Sequence, residues 1–123
     1  MPTHTDRLET ATLIAVGGFA GANLRYLVSL VAPGLAGTLL ANVAGSLVLG
    51  GLTHEAAFAD LVSRRGRLVL VTGFLASFTT YSGFAVGTAR AGLVAGAGNV
   101  AANYALGFGA VLAGRVLAAW VRA

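Results

Sequence analysis

The chain has 123 residues, of which 57% are hydrophobic and only 10% are charged, and its mean hydropathy is +0.83. Soluble domains carry roughly 25% charged residues, so this composition excludes a typical water-soluble globular domain. The net charge is +4. Its basic residues are all arginines at the ends of apolar stretches, so membrane orientation explains them better than nucleic acid as a partner. Cysteine is absent, which excludes disulfides, thiolate metal sites and cysteine nucleophiles.

Charged residues divide the chain into four apolar stretches, each close to the roughly 20 residues that a helix needs to cross a membrane. The predicted spans are residues 11–30, 36–52, 68–88 and 93–118. Pro33 and Gly34 end the first helix and turn the chain. The runs are too long for barrel strands and show no polar alternation. The sequence therefore predicts an all-α membrane protein, with residues 1–123 forming a single four-helix transmembrane domain.

Arginine is distributed unevenly between the two sides of this predicted domain. The N-terminus, the polar stretch 53–67 and the C-terminus share one side. That side holds Arg7, Arg64, Arg65, Arg67, Arg115 and Arg122, whereas the other side holds Arg25 and Arg90. Because basic residues favour the cytoplasmic side, the bias predicts a multi-pass protein of the cell membrane with both termini in the cytoplasm.

Polar residues recur inside two of the spans. Thr38, Asn42 and Ser46 are four apart and form one stripe on the second span, and Asn99 and Asn103 repeat the spacing on the fourth. An asparagine amide in hydrocarbon costs several kcal/mol unless it finds partners. A single asparagine could join two helices, but three in two stripes favour a polar pathway or a binding site.

The third span is predicted to be a broken helix. Two threonines, Thr79 and Thr80, precede Tyr81, Ser82 and Gly83, and this run is poor material for continuous helix. A break would free backbone carbonyls, which a membrane tolerates only where they line a cavity or bind something. The alternative is an intact helix whose hydroxyls bond back to their own carbonyls.

The spans also lack whole classes of residue. No Asp, Glu, Lys or His lies inside any of them, so there is no obvious proton relay or cation-binding acid. No base, nucleophile pair or metal cluster is present, which argues against an enzyme. The remaining groups are amides, hydroxyls and aromatic ring edges, which carry partial positive charge and favour a small anion.

Three segments carry a family resemblance. GGFAGANLRY at 17–26, GTLLANVAGS at 37–46 and GFLASFTTYSGF at 73–84 follow one another at the expected spacing. They resemble the GGxxGAxxRY, GTLxxNxxGS and GFxGGxTTFSTF patterns of the Fluc (CrcB) fluoride channel family. The resemblance covers nearly the whole chain. It implies a fluoride-selective channel that exports fluoride passively from the cytoplasm, built as an antiparallel, dual-topology-type dimer with pores between the subunits.

The resemblance also implies roles for particular residues. With the polar chemistry above, it assigns a fluoride pore to Thr38, Asn42, Thr80, Tyr81, Ser82, Phe84, Asn99 and Asn103. Arg25 matches an arginine of the pore vestibule. A structural Na⁺ at the dimer centre would be held by the main-chain carbonyls of Ala76 and Thr79. Such a cation would add a favourable field for an anion.

The chain departs from the family pattern in three ways, at four positions. Tyr81 replaces the first pore phenylalanine, and its hydroxyl could alter or block one pore. Ala76 and Ser77 replace two glycines at the break, so the backbone must reach its angles there without glycine. Gly83 replaces a threonine.

Pairing and function keep alternatives open. Homodimers in this family insert both ways and should have balanced arginines, so the bias favours a heterodimer with an oppositely oriented paralogue over a homodimer. The chain could also be a non-conducting or structural subunit of such a heterodimer. A small multidrug-type exporter is similar in size but needs a glutamate within its first helix, and here Glu9 lies before the span.

Overall fold

The computed structural model describes residues 1–54 and 62–122. Every regular element in these ranges is helical, and four spans are long and apolar enough to cross a membrane. Helix α1 covers His4–Val31, α2 Leu35–Leu52, α3 Arg64–Arg67, α4 Ala76–Phe78, α5 Tyr81–Arg90 and α6 Leu93–Arg122, with π-helical Leu68–Leu75 joining α3 to α4. This confirms the predicted multi-pass, all-α membrane fold with a broken third span.

The helix ends follow the local chemistry. Helix α1 starts earlier than predicted because Thr3 caps it: the Thr3 hydroxyl accepts from the Asp6 amide, and the Asp6 carboxylate accepts from the Thr3 amide. At the other end, Gly34 reaches a φ of +73° in the turn before α2, a conformation that favours glycine. The polar stretch 53–67 is described only in part, because residues 55–61 lie outside the described ranges.

The third span breaks at two threonines. Thr79 and Thr80 are extended (φ −79°, ψ 158° and φ −147°, ψ 120°), and the Thr80 hydroxyl accepts a 2.9 Å hydrogen bond from the Gly83 amide and so caps α5. Ala76 keeps helical angles, with φ −63° and ψ −30°. Since no residue of this break has a positive φ, the break forms without the two glycines of the family pattern.

Close backbone contacts join the helices in two pairs, α1 with the third span and α2 with α6. A Cβ on Gly17 would overlap the carbonyl oxygen of Val69, and one on Gly50 would overlap that of Val111. Small residues are what allow such approach in a membrane, where lipid gives little hydrophobic drive to helix association. Val69 lies in the π-helical stretch Leu68–Leu75, which the sequence did not predict.

The chain has a small core and a broad apolar surface. Only six apolar residues among those described are buried: Ala41, Leu75, Phe78, Phe84, Ala110 and Ala118. Large side chains such as Phe19, Tyr26 and Phe108 are more than half exposed. An exposed apolar surface of this extent suits contact with lipid or with another chain rather than with water.

Candidate ion path

The centre of the site is a two-way hydrogen bond between α2 and the break. The backbone N–H of Thr80 donates to Oδ1 of Asn42 at 2.8 Å, and Nδ2 of Asn42 donates to the Thr80 carbonyl at 3.1 Å. A backbone N–H has no other role than donor, so this pair fixes the orientation of the Asn42 amide. The predicted polar stripe and the predicted break therefore meet in one contact.

The two asparagines of α6 extend this contact. Nδ2 of Asn42 also donates to Oδ1 of Asn103 at 3.4 Å. Nδ2 of Asn103 donates in turn to the carbonyl oxygen and Oδ1 of Asn99, at 2.8 and 3.0 Å. Asn99 is only 7% exposed, and its own Nδ2 donates to Oγ1 of Thr88 at 2.9 Å. Asn99 therefore contributes to the site through its hydrogen bonds with Asn103 and Thr88.

A concavity of about 250 Å³ opens beside these amides. It is lined by Asn42, Thr79, Thr80, Tyr81, Phe84, Asn103 and Tyr104. Phe84 is buried and meets Tyr104 edge to face, with ring centroids 6.1 Å apart and planes at 79°, and its centroid lies 5.8 Å from that of Tyr81. Tyr81 is 76% exposed, so its hydroxyl is accessible from outside the chain.

Tyr104 is the lining residue that sequence reasoning did not assign. It comes directly after Asn103, and its ring contacts both Phe84 and Phe108. Tyr104 and Phe108 are four apart and share a helix face, so an aromatic stripe was visible in the sequence. Only the fold shows that this stripe meets Phe84 of another span.

A second concavity, of about 380 Å³, holds the other predicted pore residues except Asn99, which lines neither opening. Thr38, Ser82 and Arg25 line it together with Thr80. The predicted set is therefore divided between two openings, and Thr80 borders both. Arg25 is the positively charged residue in the lining of this opening. Its guanidinium Nη1 donates to the Thr79 carbonyl at 3.4 Å.

The two carbonyls predicted to hold Na⁺, those of Ala76 and Thr79, lie at the break of the third span. In a continuous helix the Thr80 N–H would bond to the Ala76 carbonyl four residues earlier, but here it bonds to Asn42 instead. The Ala76 carbonyl thus lacks its usual helical donor, and the Thr79 carbonyl faces Arg25. Unwound carbonyls of this kind are the oxygen donors that hold Na⁺ in other membrane proteins. No cluster of His, Cys, Asp or Glu suited to a metal occurs in residues 1–54 and 62–122.

Fold and site together define a small multi-pass membrane protein whose polar groups gather at a broken helix. A family model described as CrcB-like protein, Camphor Resistance (CrcB), matches residues 12–115. The chain belongs to this family, and the resemblance carried by its three motifs is confirmed.

Curated relatives agree over nearly the full length. A fluoride-specific ion channel FluC 1 of Haloarcula marismortui is 52% identical over 108 residues, which are 88% of this chain and 84% of the relative. A fluoride-specific ion channel FluC 2 of Halobacterium salinarum is 52% identical over 123 residues, covering 99% of this chain and 95% of the relative. A FluC 2 channel of Methanosarcina mazei is 36% identical over 115 residues, 94% of this chain and 91% of the relative.

Proposed function

We propose that this chain forms a fluoride-selective channel that lowers cytoplasmic fluoride by passive export, and that it is not an enzyme. The observation that carries the proposal is the Asn42 amide held at the break of the third span, beside the ring of Phe84. The relatives named as fluoride-specific ion channels support the choice of ion.

The chemistry of the concavity suits fluoride. A pore for a small, strongly hydrated ion must replace its water with hydrogen-bond donors. The Asn42 amide and the hydroxyl of Tyr104 are such donors, and the edge of the Phe84 ring adds a weak positive partner. No acidic residue among residues 1–54 and 62–122 lines either opening, so none of the described side chains sets a fixed negative charge against a fluoride ion there.

A second chain completes the path. The concavity is open on one side, and Tyr81 is exposed there with no hydrogen-bond partner for its hydroxyl among the described residues. We place an oppositely oriented chain on this side, which gives the antiparallel dimer of the family, and lipid on the remaining apolar faces. The arginine bias favours a paralogue over a second copy as that chain.

The same bias places both termini on the cytoplasmic side of the cell membrane. An ion pair between Arg65 Nε and Glu9 Oε1, 2.6 Å long, joins the start of the third span to the start of α1. The arginines before the third span therefore share a side with the N-terminus, as the positive-inside count assumes.

A sodium ion at the dimer centre fits the carbonyls of Ala76 and Thr79. Its chemistry would be that of a fixed positive charge, which favours an anion nearby. Arg25 already bonds to the Thr79 carbonyl, so the guanidinium and the sodium ion would share this oxygen.

Fluoride efflux from liposomes tests the function. The chain is reconstituted alone and with its nearest oppositely biased paralogue, and chloride efflux is the matched control. We expect fluoride to leave rapidly in at least one preparation and chloride in neither. If efflux requires the paralogue, it is measured again with a paralogue whose own pore residues have been removed. Efflux that persists in this preparation would assign conduction to this chain. Absence of fluoride efflux in both preparations would contradict the channel.

Cysteine labelling tests pairing and orientation, because the chain has no cysteine of its own. Thr3→Cys and Ala91→Cys place single thiols at opposite ends of the spans. A membrane-impermeant maleimide applied to cells should label Ala91→Cys and leave Thr3→Cys unlabelled. Labelling of both positions would mean that this chain alone inserts in both orientations, and would overturn the heterodimer.

A further inference from the structure

Thr88 lies outside the concavity, yet it ends the chain of hydrogen bonds that begins at the ion path. Its hydroxyl accepts from Nδ2 of Asn99 at 2.9 Å and donates to the carbonyl of Phe84 at 2.8 Å. Thr88 and Asn99 come from α5 and α6, so this bond ties together the two helices that face each other across the aromatic rings. Neither residue lines the concavity itself.

The direction of the whole relay is set by backbone groups at its two ends. At one end the Thr80 N–H, which only donates, requires the Oδ1 atom of Asn42. At the other end the Phe84 carbonyl, which only accepts, requires the hydroxyl proton of Thr88, whose oxygen is then free to accept from Asn99. Each amide between these ends has one orientation that satisfies both neighbours. The relay returns to α5 at the backbone carbonyl of Phe84, the residue whose ring lines the concavity.

We propose that Thr88 and Asn99 are positioning residues, which hold the Asn103 and Asn42 amides in the orientation that the ion path requires. The inference rests on the proposed function in so far as Asn42 lines that path. The weakest bond of the relay is the 3.4 Å bond from Asn42 Nδ2 to Asn103 Oδ1. This N–H is the one that an entering anion takes over most readily, and its direction depends on Asn103 remaining bonded to Asn99.

Removal of the Thr88 hydroxyl should loosen the relay from its far end. In Thr88→Val the Nδ2 of Asn99 loses its acceptor in a buried membrane site, where such groups are costly to leave unpaired. Asn99 can then turn, and Asn103 keeps only its bond to the Asn99 carbonyl. The disturbance should therefore decrease along the order Asn99, Asn103, Asn42.

Asparagine side-chain resonances provide the test, because the chain has four asparagines and three of them form the relay. Protein labelled with ¹⁵N-asparagine is compared as wild type, Thr88→Val, Thr88→Ser and Thr12→Val. Thr12→Val is the matched control, since the Thr12 hydroxyl also bonds back to its own helix, at 2.8 Å to the Leu8 carbonyl. Asn23, whose amide bonds to the Phe19 carbonyl on α1, is the internal control. Fluoride efflux is measured on the same samples.

Thr88→Val should shift the three relay amides in the stated order, leave Asn23 unchanged and slow fluoride efflux about three- to tenfold, the range expected for one lost hydrogen bond. Thr88→Ser should restore both readouts, and Thr12→Val should resemble wild type. The relay is wrong if the Asn103 and Asn42 resonances do not move in Thr88→Val. It is also wrong if Thr88→Ser gives the same shifts and efflux as Thr88→Val.

The relay and the proposed function fail separately. If the asparagine resonances shift together in Thr88→Val but the wild-type protein passes no fluoride, the proposed function is wrong and the relay stands. If the wild-type protein passes fluoride but the resonances do not shift together, only the relay is wrong. If Thr88→Val does not fold, Thr88→Cys replaces it, because a thiol is a weaker hydrogen-bond partner. The expected shifts are then smaller and in the same order, and their absence contradicts the relay equally.

Discussion

The amide of Asn42 and the backbone of Thr80 exchange two hydrogen bonds, of 2.8 and 3.1 Å, across the interface of α2 with the broken third span. The Asn42 Oδ1 atom therefore replaces the helical acceptor that the Thr80 N–H loses at the break. The polar group that the proposed channel uses for its ion is also the group that makes the break stable.

Asn42→Ala should destabilise the protein more than the same change at Asn23. It leaves the part-buried N–H of Thr80 without its acceptor, which costs about 1–3 kcal/mol, and removes one of the bonds that the Thr80 carbonyl accepts. Asn23→Ala removes a single bond to the Phe19 carbonyl on an exposed helix face and is the matched control. Unfolding in a detergent titration measures both. Equal losses in the two variants would contradict the structural role of Asn42.

Tyr81→Phe should retain or raise fluoride efflux. The change removes a hydroxyl that has no partner among the described residues and restores the bare ring of the family pattern, while the ring contact with Phe84 remains. Efflux is compared with wild type at equal protein density in liposomes. A loss of efflux in Tyr81→Phe would show instead that the hydroxyl is an essential donor to the ion.

Gly17→Ala should prevent α1 from packing against the third span. An added Cβ overlaps the Val69 carbonyl, which is rigid backbone, so the helices must separate. We expect a loss of several kcal/mol or failure to fold, by comparison with other overpacked sites, which cost about 1–3 kcal/mol where side chains can adjust. Gly98→Ala, on an open face of α6, is the control and should be neutral. A folded Gly17→Ala of unchanged melting temperature would contradict this packing.

Sodium should stabilise the assembled protein, and Arg25→Gln should strengthen that effect. Removing the guanidinium from the Thr79 carbonyl relieves repulsion on the order of 1 kcal/mol between unit charges a few ångströms apart. The sodium concentration for half-maximal stabilisation should then fall about three- to tenfold, as judged by melting in NaCl against KCl. Arg90→Gln serves as the control. An unchanged sodium dependence in Arg25→Gln would argue against a shared oxygen, and no sodium effect in any variant would argue against the cation.

Sequence patterns predicted the four spans, the break and the polar stripes because each has a local cause: hydropathy, β-branched residues and a four-residue spacing. Which polar residues of different helices contact one another has no local cause in the sequence. Thr88 was invisible as a partner of Asn99 because they lie on different helices, and the division of Thr38 and Asn42 between two openings depends on how α2 meets the break. The π-helical stretch Leu68–Leu75 was also not predicted, and it packs against α1, where Val69 approaches Gly17.

Fluoride efflux from liposomes carrying Asn42→Asp tests whether the ion passes along the Asn42 amide. The carboxylate can still accept from the Thr80 N–H, but it cannot donate to the Thr80 carbonyl and it places a negative charge on the ion path. Asn23→Asp, assembled with the same partner chain, is the matched control. We expect fluoride efflux from the control and none above empty liposomes from Asn42→Asp. Wild-type efflux from a folded Asn42→Asp protein would contradict an ion path along Asn42.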